Sequence, residues 1–295
     1  MSPSAGVVRR MTDELVLERA LSALPMLGAS ARWHITALAG GFANRSWLLA
    51  SADAKLVLRV PVHDTRVLGV ERTGERAAMA AAATIGFAPP LIYFDDATGL
   101  MLSEYVEGRL WSLADAHDPR SAVRLTERLQ ALHALAPPAG VRELDYAQLI
   151  ARYRASLAAR NDTGSRDRAR LDGEADRRLA VLTSQPRRRR LCHNDVHRQN
   201  IVDGRVLTLI DWEYAAAGDG MFDLASFACY HDLDAAERAH LLASYAPGAA
   251  NALVQPFDDC CWLFDYMHLL WLELSASDSA LCQRLTQRLE VAVAQ

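Results

Sequence analysis

The sequence predicts an α+β chain with a small antiparallel sheet at the front and a mostly helical remainder. Three observations carry this. β-rich runs punctuated by turn residues fill the first third of the chain. Amphipathic helical periodicity takes over after Gly108. One short β segment, turning at Asp203-Gly204, interrupts the helical part. The length of 295 residues suits two domains or lobes, at ~100–200 residues each.

Residues 1–30 read as a helical extension. Residues 32–38 form the first strand candidate, followed by a turn at Gly40-Gly41. Two more runs, 46–50 and 56–60, are separated by the polar turn 51–54. From 71 to 85 the chain is alanine-rich and helical, with Gly86 as its stop. Strand candidates 91–94 and 100–106 flank a turn at 95–99. After Gly108, helices are expected at 120–135, ending before Pro137-Pro138, at 145–159 and at 168–182. Residues 201–202 and 205–210 flank the hairpin signal, and the last 75 residues return to helix. The expected division is an N-terminal lobe over 1–102, a connector over 103–108 and a helical lobe over 109–295.

Composition excludes several classes. With 51% hydrophobic and 23% charged residues the chain is neither disordered, collagen-like nor a long coiled coil. The net charge is −4, with 32 basic and 36 acidic residues, so no basic footprint for nucleic acid exists. The Arg187 to Arg190 run reads as a solvated approach to the strand after it. Neither of the most apolar stretches, 77–83 and 260–274, offers the ~20 uninterrupted apolar residues of a membrane span. The start lacks the apolar core of a signal peptide. Five cysteines, Cys192, Cys229, Cys260, Cys261 and Cys282, show no C-x-x-C spacing, which fits reduced thiols in a cytoplasmic protein. Lys55 is the only lysine.

The chemistry concentrates in 191–213. His193-x-Asp195-x-x-x-x-Asn200 is followed, eleven residues after Asn200 and at the end of an apolar run, by Asp211. This is the spacing of a kinase catalytic loop and its metal-binding aspartate. Phosphoryl transfer needs a carboxylate that takes the proton of the attacking hydroxyl, and oxygen ligands that hold Mg²⁺ against the phosphates. A hairpin between Asn200 and Asp211 brings the two back together, so Asp195, Asn200 and Asp211 converge. No G-x-x-x-x-G-K-[ST] occurs, and Gly218-Asp-Gly220 lacks the third glycine of a dinucleotide fingerprint. His193 and His197 are four apart on a loop with no third ligand evident. His133, in Ala-Leu-His-Ala-Leu, reads as a core helix residue.

The block HNDVHRQN with LIDWEYA resembles the aminoglycoside phosphotransferase and choline kinase superfamily, small-molecule kinases with a protein-kinase-like two-lobe fold. The segments Gly40-Gly-Phe-Ala-Asn44, Leu56-Val-Leu-Arg-Val60 and Gly99-Leu-Met-Leu-Ser-Glu-Tyr-Val-Glu-Gly108 resemble the bacterial choline kinase branch. Asp219 and Asp223-Leu-Ala resemble its segment after the metal site, and Asp211-Trp-Glu-Tyr214 is similar to bacterial thiamine and choline kinases. The resemblance implies ATP and Mg²⁺ as cofactors, Asp195 as base, and Asn200 and Asp211 as metal ligands. It implies a nucleotide site built from Gly40, Gly41, Asn44, Arg59, Glu75, Ser103, Glu104 and Tyr105. In that site Arg59 contacts phosphate, Glu75 is its ion-pair partner, and Lys55 is an exposed strand-end residue. Glycines there admit close approach of the phosphates. His193 and Asp223 would support the catalytic loop.

For the acceptor, the resemblance points to Glu213, Tyr214, Tyr230, Asp265 and Trp271. The surrounding stretch supplies Trp262, Phe264, Tyr266, Asp258, Asp259 and Glu273. Aromatic rings with carboxylates suit a cationic amine or quaternary ammonium. One departure stands out: choline kinases often carry glutamate where this chain has Tyr230. The expected activity is an ATP-dependent kinase acting on the hydroxyl of a small cationic metabolite, choline- or thiamine-like. An aminoglycoside, other antibiotic or sugar kinase is the same chemistry with another acceptor. A catalytically silent binding protein of this fold would usually lack Asp195, Asn200 or Asp211, and all three are present.

Overall fold

The computed structural model describes residues 12–28, 32–38, 44–62, 72–160, 166–184, 189–275 and 278–294. The chain divides into two compact units, one of Met1–Asp64 with Leu91–Tyr105, the other of Thr65–Pro90 with Val106–Gln295.

The first unit holds helix α1 (Asp13–Ser22) and strands β1 (His34–Leu38), β2 (Asn44–Ala50), β3 (Lys55–Pro61), β4 (Leu91–Phe94) and β5 (Met101–Glu104). The five strands form one antiparallel sheet in the order β1-β2-β3-β5-β4. Polar side chains set its turns. Ser51 Oγ accepts from the amides of Asp53 and Ala54. Asp95 accepts from Ala97 N and Thr98 Oγ1, and Gly99, at φ 74°, supplies the left-handed residue that closes the loop. Period-two alternation turns Leu56 and Leu58 of β3 and Trp47 and Leu49 of β2 to one side. There they join Leu100 and Leu102, together with Val16, Ala20, Leu24 and Leu27 from the N-terminal segment.

The second unit begins with α2 (Arg72–Thr84). From its place in the sequence this helix was expected in the first lobe, yet it groups with the second unit. Gly74 lies against the backbone of 140–142, with room for a Cβ at 3.4 Å from Arg142 N, and Arg72 Nη1 reaches Glu213 Oε2 at 3.3 Å. After β6 (Gly108–Leu110) come α3 (Leu113–Ala116), α4 (Pro119–Ala134), α5 (Tyr146–Ala158) and α6 (Arg166–Thr183). Three of these helices start on side-chain caps: Ser112 with Asp115, Asp118 before Pro119, and Asp145. Along α4, Ala122, Leu125, Leu129, Leu132 and His133 form one buried stripe at helical spacing.

Then follow β7 (Arg190–Cys192), β8 (Ile201–Gly204), β9 (Leu207–Leu209) and β10 (Ala216–Gly218). Strand β7 pairs with β10, and β8 lies between β6 and β9. The hairpin is real, but its reversal falls at 204–206 rather than on Asp203-Gly204 alone, because Asp203 pairs with Leu207 inside the ladder. Asp203 is held by a two-pronged ion pair to Arg124, at 3.0 and 2.6 Å. Gly204 faces the carbonyl of Glu107 so closely that a Cβ would come within 2.1 Å of it. Helices α7 (Met221–Tyr230), α8 (Ala235–Tyr245), α9 (Ala250–Ser275) and α10 (Ser279–Ala294) complete the chain. α7 is buried from Met221 to Cys229, and α9 buries Phe257, Leu263, Tyr266, Leu269 and Leu270. No helix among the described residues is long and apolar enough to cross a membrane.

Candidate active site

The loop after β7 carries the kinase-like residues, and its shape is set by polar contacts from every side. Asp223, fully buried at the start of α7, accepts from the amide of His193 at 3.0 Å and from that of Asn194 at 2.6 Å. Ser226, one turn on, accepts from Val196 N at 3.1 Å. His231 Nε2 accepts from Arg198 N at 3.1 Å. Asn194 sits in the left-handed region at φ 63°, and Asp211 at φ 62°. Such residues cost ~1–3 kcal/mol each and persist where the surroundings over-determine them.

His193 is completely buried. Its Nδ1 accepts from Asp195 N at 3.3 Å and its Nε2 lies 3.0 Å from the carbonyl of Ile210. Burial pushes this imidazole below its ordinary value, so the ring is neutral, with its proton on Nε2 facing Ile210. The edge of His193 meets Trp212 at 4.7 Å, and Trp212 Nε1 donates to Leu209 O. Thus His193 ties the Asp195 loop to the strand that leads to Asp211.

Asp195 is held by both oxygens. Oδ1 accepts from the Tyr230 hydroxyl at 2.9 Å, and Oδ2 accepts from Asn200 Nδ2 at 3.0 Å. His197 Nε2 lies 3.5 Å from Oδ2. Burial pushes the carboxyl up, but His197, His193 and the Tyr230 hydroxyl outweigh it and hold Asp195 below the usual carboxylate value. Asn200 Nδ2 also donates to Asp195 O at 3.0 Å. With its nitrogen so engaged, the carboxamide of Asn200 offers its oxygen as a ligand. The backbone bond from Ile210 N to Asn200 O, 2.9 Å, brings Asp211 beside it. An amide oxygen and a carboxylate are the hard donors that Mg²⁺ takes.

Around Asp195 the second unit supplies rings. Tyr230 meets His197 at 5.0 Å, Phe264 at 5.2 Å and His268 at 5.1 Å between ring centres. His268 in turn faces Trp271, whose Nε1 donates to the Tyr214 hydroxyl at 3.0 Å. Burial pushes His268 down to about 4, so this ring too is neutral. His197 and His268 belong to this cluster too, beyond the acceptor candidates read from the sequence. The signal for His268 is its four-residue spacing from Phe264 on a helix rich in aromatics.

Three acidic residues of α9 are taken up by arginines. Asp265 is buried in an ion pair with Arg288 of α10, Asp259 pairs with Arg178 at 2.7 Å, and Glu273 pairs with Arg168. Asp265 is therefore a helix-packing carboxylate with its charge committed to arginine, and it does not stand over the rings as a counter-charge. Glu213 is likewise buried beside Arg72, which lies 3.4 Å from Glu75 Oε2 as well.

The nucleotide-site candidates divide between the units. Asn44, Arg59, Ser103, Glu104 and Tyr105 lie on the sheet of the first unit. Arg59 is buried on β3 opposite Ser46 and Met101, and Lys55 is exposed with its ammonium 5.9 Å from the Tyr105 ring centre. Glu75, fully buried, belongs to the second unit. Gly40 and Gly41 lie outside the described residues.

The sequence matches the phosphotransferase enzyme family over residues 34–256. Among solved structures, a choline/ethanolamine kinase family protein from Mesorhizobium loti is similar at 24% identity and a TM-score of 0.77, covering 96% of this chain and 94% of its own. Choline kinase LicA from Streptococcus pneumoniae is similar at 18% identity and a TM-score of 0.77, covering 94% and 99%. The GDP complex of aminoglycoside 2'-phosphotransferase-IIIa is similar at 16% identity and a TM-score of 0.68, covering 95% and 98%. No curated protein sequence matches. These neighbours share the kinase-like fold with this chain.

Proposed function

Since the chain belongs to the phosphotransferase enzyme family, a match that spans most of its length, we propose that it moves the γ-phosphoryl of MgATP to the hydroxyl of a small, choline- or thiamine-like cationic metabolite. The observation that carries this reading is Asp195, ionised and fixed at both oxygens, set beside a wall of neutral rings.

Asp195 is the general base. The acceptor hydroxyl donates to its carboxylate, which takes the proton as the oxygen attacks phosphorus and ADP departs. A carboxylate oxygen accepts two hydrogen bonds, so Oδ1 takes the acceptor hydroxyl alongside Tyr230. Asn200 and Asp211 hold the Mg²⁺ that neutralises phosphate charge. His193 and Asp223 keep the loop in its strained shape. Arg59 contacts the phosphates, and the remaining first-unit residues, Asn44, Ser103, Glu104 and Tyr105, serve the nucleotide.

The acceptor's cation meets ring faces rather than carboxylates. A cation over an aromatic face gains ~0.5–2 kcal/mol, and more once water is excluded. Tyr214, Tyr230 and Trp271 provide those faces. An aminoglycoside, with several primary ammonium groups, calls instead for carboxylates to accept its N–H donors, and Asp259, Asp265 and Glu273 of α9 already serve arginines. The test is ATP consumption by the purified protein over choline, thiamine, ethanolamine, aminoglycosides, macrolides and neutral sugars. Highest kcat/KM with a quaternary or ring cation is expected. A neutral sugar or an aminoglycoside outperforming every such acceptor would overturn the acceptor reading, and ATP turnover with none of them would overturn the kinase.

A further inference from the structure

A second buried network backs the catalytic loop, and it starts two helices away. His133 lies in the buried stripe of α4. Its Nε2 is 2.9 Å from Asp223 Oδ2, and both side chains are wholly inaccessible to solvent. Its Nδ1 is 2.7 Å from the hydroxyl of Tyr245, the last residue of α8. Asp223 Oδ2 also accepts from His193 N, and Oδ1 from Asn194 N. The chain of contacts therefore runs Tyr245, His133, Asp223, then the backbone of the loop that presents Asp195.

The direction of the hydrogen bonds follows from the partners. A carboxylate only accepts, so His133 donates from Nε2. Its Nδ1 faces the hydroxyl of Tyr245, whose phenol burial pushes up to about 12, so that hydroxyl keeps its proton. The ring has no room to turn away. A Cβ on Gly220 would come within 2.6 Å of His133 Nδ1, so the backbone at the start of α7 presses directly on the imidazole. Arg190 Nη1 donates to the His133 carbonyl at 3.0 Å, fastening the same turn of α4 to β7. Cys192 lies near enough to complete a metal-ligand-like trio with His133 and Asp223. Burial pushes its thiol well above the ordinary value, however, and the metal-binding form of cysteine is the thiolate.

We propose that His133 and Tyr245 are positioning residues for phosphoryl transfer: they orient the Asp223 carboxylate, which holds His193 and Asn194 and thereby sets where Asp195 meets the acceptor. Asp223 must aim one oxygen at each of two adjacent amides. A carboxylate free to rotate about its last bond would lose that aim, and Asn194 would relax from its left-handed conformation. His133 locks the rotation from behind, and Tyr245 locks His133. The proposal rests on Asp195 being the base.

The test pairs two measurements on the full chain. In His133→Leu, kcat should fall about 10- to 100-fold, the range for losing a hydrogen bond to a charged group, while KM for ATP stays within about twofold. His133→Gln carries an amide N–H near the place of Nε2 and should recover most of that loss. Tyr245→Phe should lower kcat by about threefold to tenfold, the effect of one neutral hydrogen bond. Amide hydrogen exchange of the segment 191–200, followed by mass spectrometry without any acceptor, should quicken in His133→Leu and in Tyr245→Phe and return towards wild type in His133→Gln. The exchange arm decides the anchoring even if the kinase reading fails, since it needs no turnover. Unchanged loop exchange in a folded His133→Leu, or a Gln variant as impaired as the Leu variant, overturns the proposal. Should His133→Leu fail to fold, Tyr245→Phe carries the test, and wild-type kcat and loop exchange in that variant overturn it.

Discussion

Leucine and tryptophan fill the core of the first unit, whereas hydrogen bonds fill the core beneath the Asp195 loop of the second. Leu49, Leu58 and Leu102 lie in one apolar cluster with Val16, Ala20, Leu24 and Leu27 of the N-terminal segment. His193, Asp223, Ser226 and His231 are as deeply buried, yet each spends its burial on a named backbone atom of the loop. The two cores solve different problems. An apolar core needs volume and shape, and tolerates exchange among aliphatic residues. A polar core fixes direction, because an unmet buried donor or acceptor costs ~1–3 kcal/mol and leaves few alternative arrangements. The sheet needs a stable platform; the loop needs the Asp195 carboxylate held in one direction.

The comparison can be broken by asking whether direction and stability separate. The largest effect is expected from Asp195→Asn, which keeps the shape of the side chain and removes the base: kcat should drop by ~10²–10⁴-fold with little change in melting temperature or ATP affinity. Retention of more than about a tenth of kcat would remove Asp195 from that role. Leu58→Ala is the opposite case. It should cost ~2–5 kcal/mol of stability by denaturant unfolding and leave kcat per folded molecule near wild type. A folded Leu58→Ala protein with collapsed kcat would show that the sheet also aims the chemistry.

Asp265→Ala sharpens the division within α9. Losing one member of a buried ion pair costs ~3–5 kcal/mol, and less here because Arg288 is about one-third exposed. Acceptor KM should not move. A selective rise in acceptor KM would return Asp265 to the acceptor site. Trp271→Ala should do what Asp265→Ala does not, raising acceptor KM by about 2- to 30-fold, the range of one cation–π contact, with KM for ATP unchanged.

The smallest effect is a pH dependence. Burial pushes both His231 and His268 down to about 4 from an ordinary 6.5, and lowers His193 too. These rings stay neutral in the fold and take up protons on unfolding once the pH is below 6.5. Their stabilisation is therefore present above that value and is lost as the pH falls towards 4. Melting temperatures over this window should fall with acidity, and His231→Gln should flatten the fall. An unaltered slope in that variant would mean His231 does not titrate as its burial implies.

Much of this was legible along the chain. Local rules place most elements: β-rich runs around a polar turn for β2 and β3, Gly86 as the stop of α2, and helical periodicity for α4 and α5. The trio Asp195, Asn200 and Asp211 was legible too, because its members lie within seventeen residues and a hairpin is a local structure. What lay beyond the sequence was pairing across distance. Nothing in the order of residues says that Asp265 belongs to Arg288, 23 positions on, or Asp259 to Arg178, 81 positions back. An unpaired carboxylate and a paired one read alike in one dimension, so Asp259, Asp265 and Glu273 look available for a ligand although packing gives each an arginine. His133 was readable as a core residue from its helical spacing, but its partners Asp223 and Tyr245 stand 90 and 112 positions away. Burial decides which side chains must find a partner; only the packing of α4, α7 and α8 decides which partner each one finds.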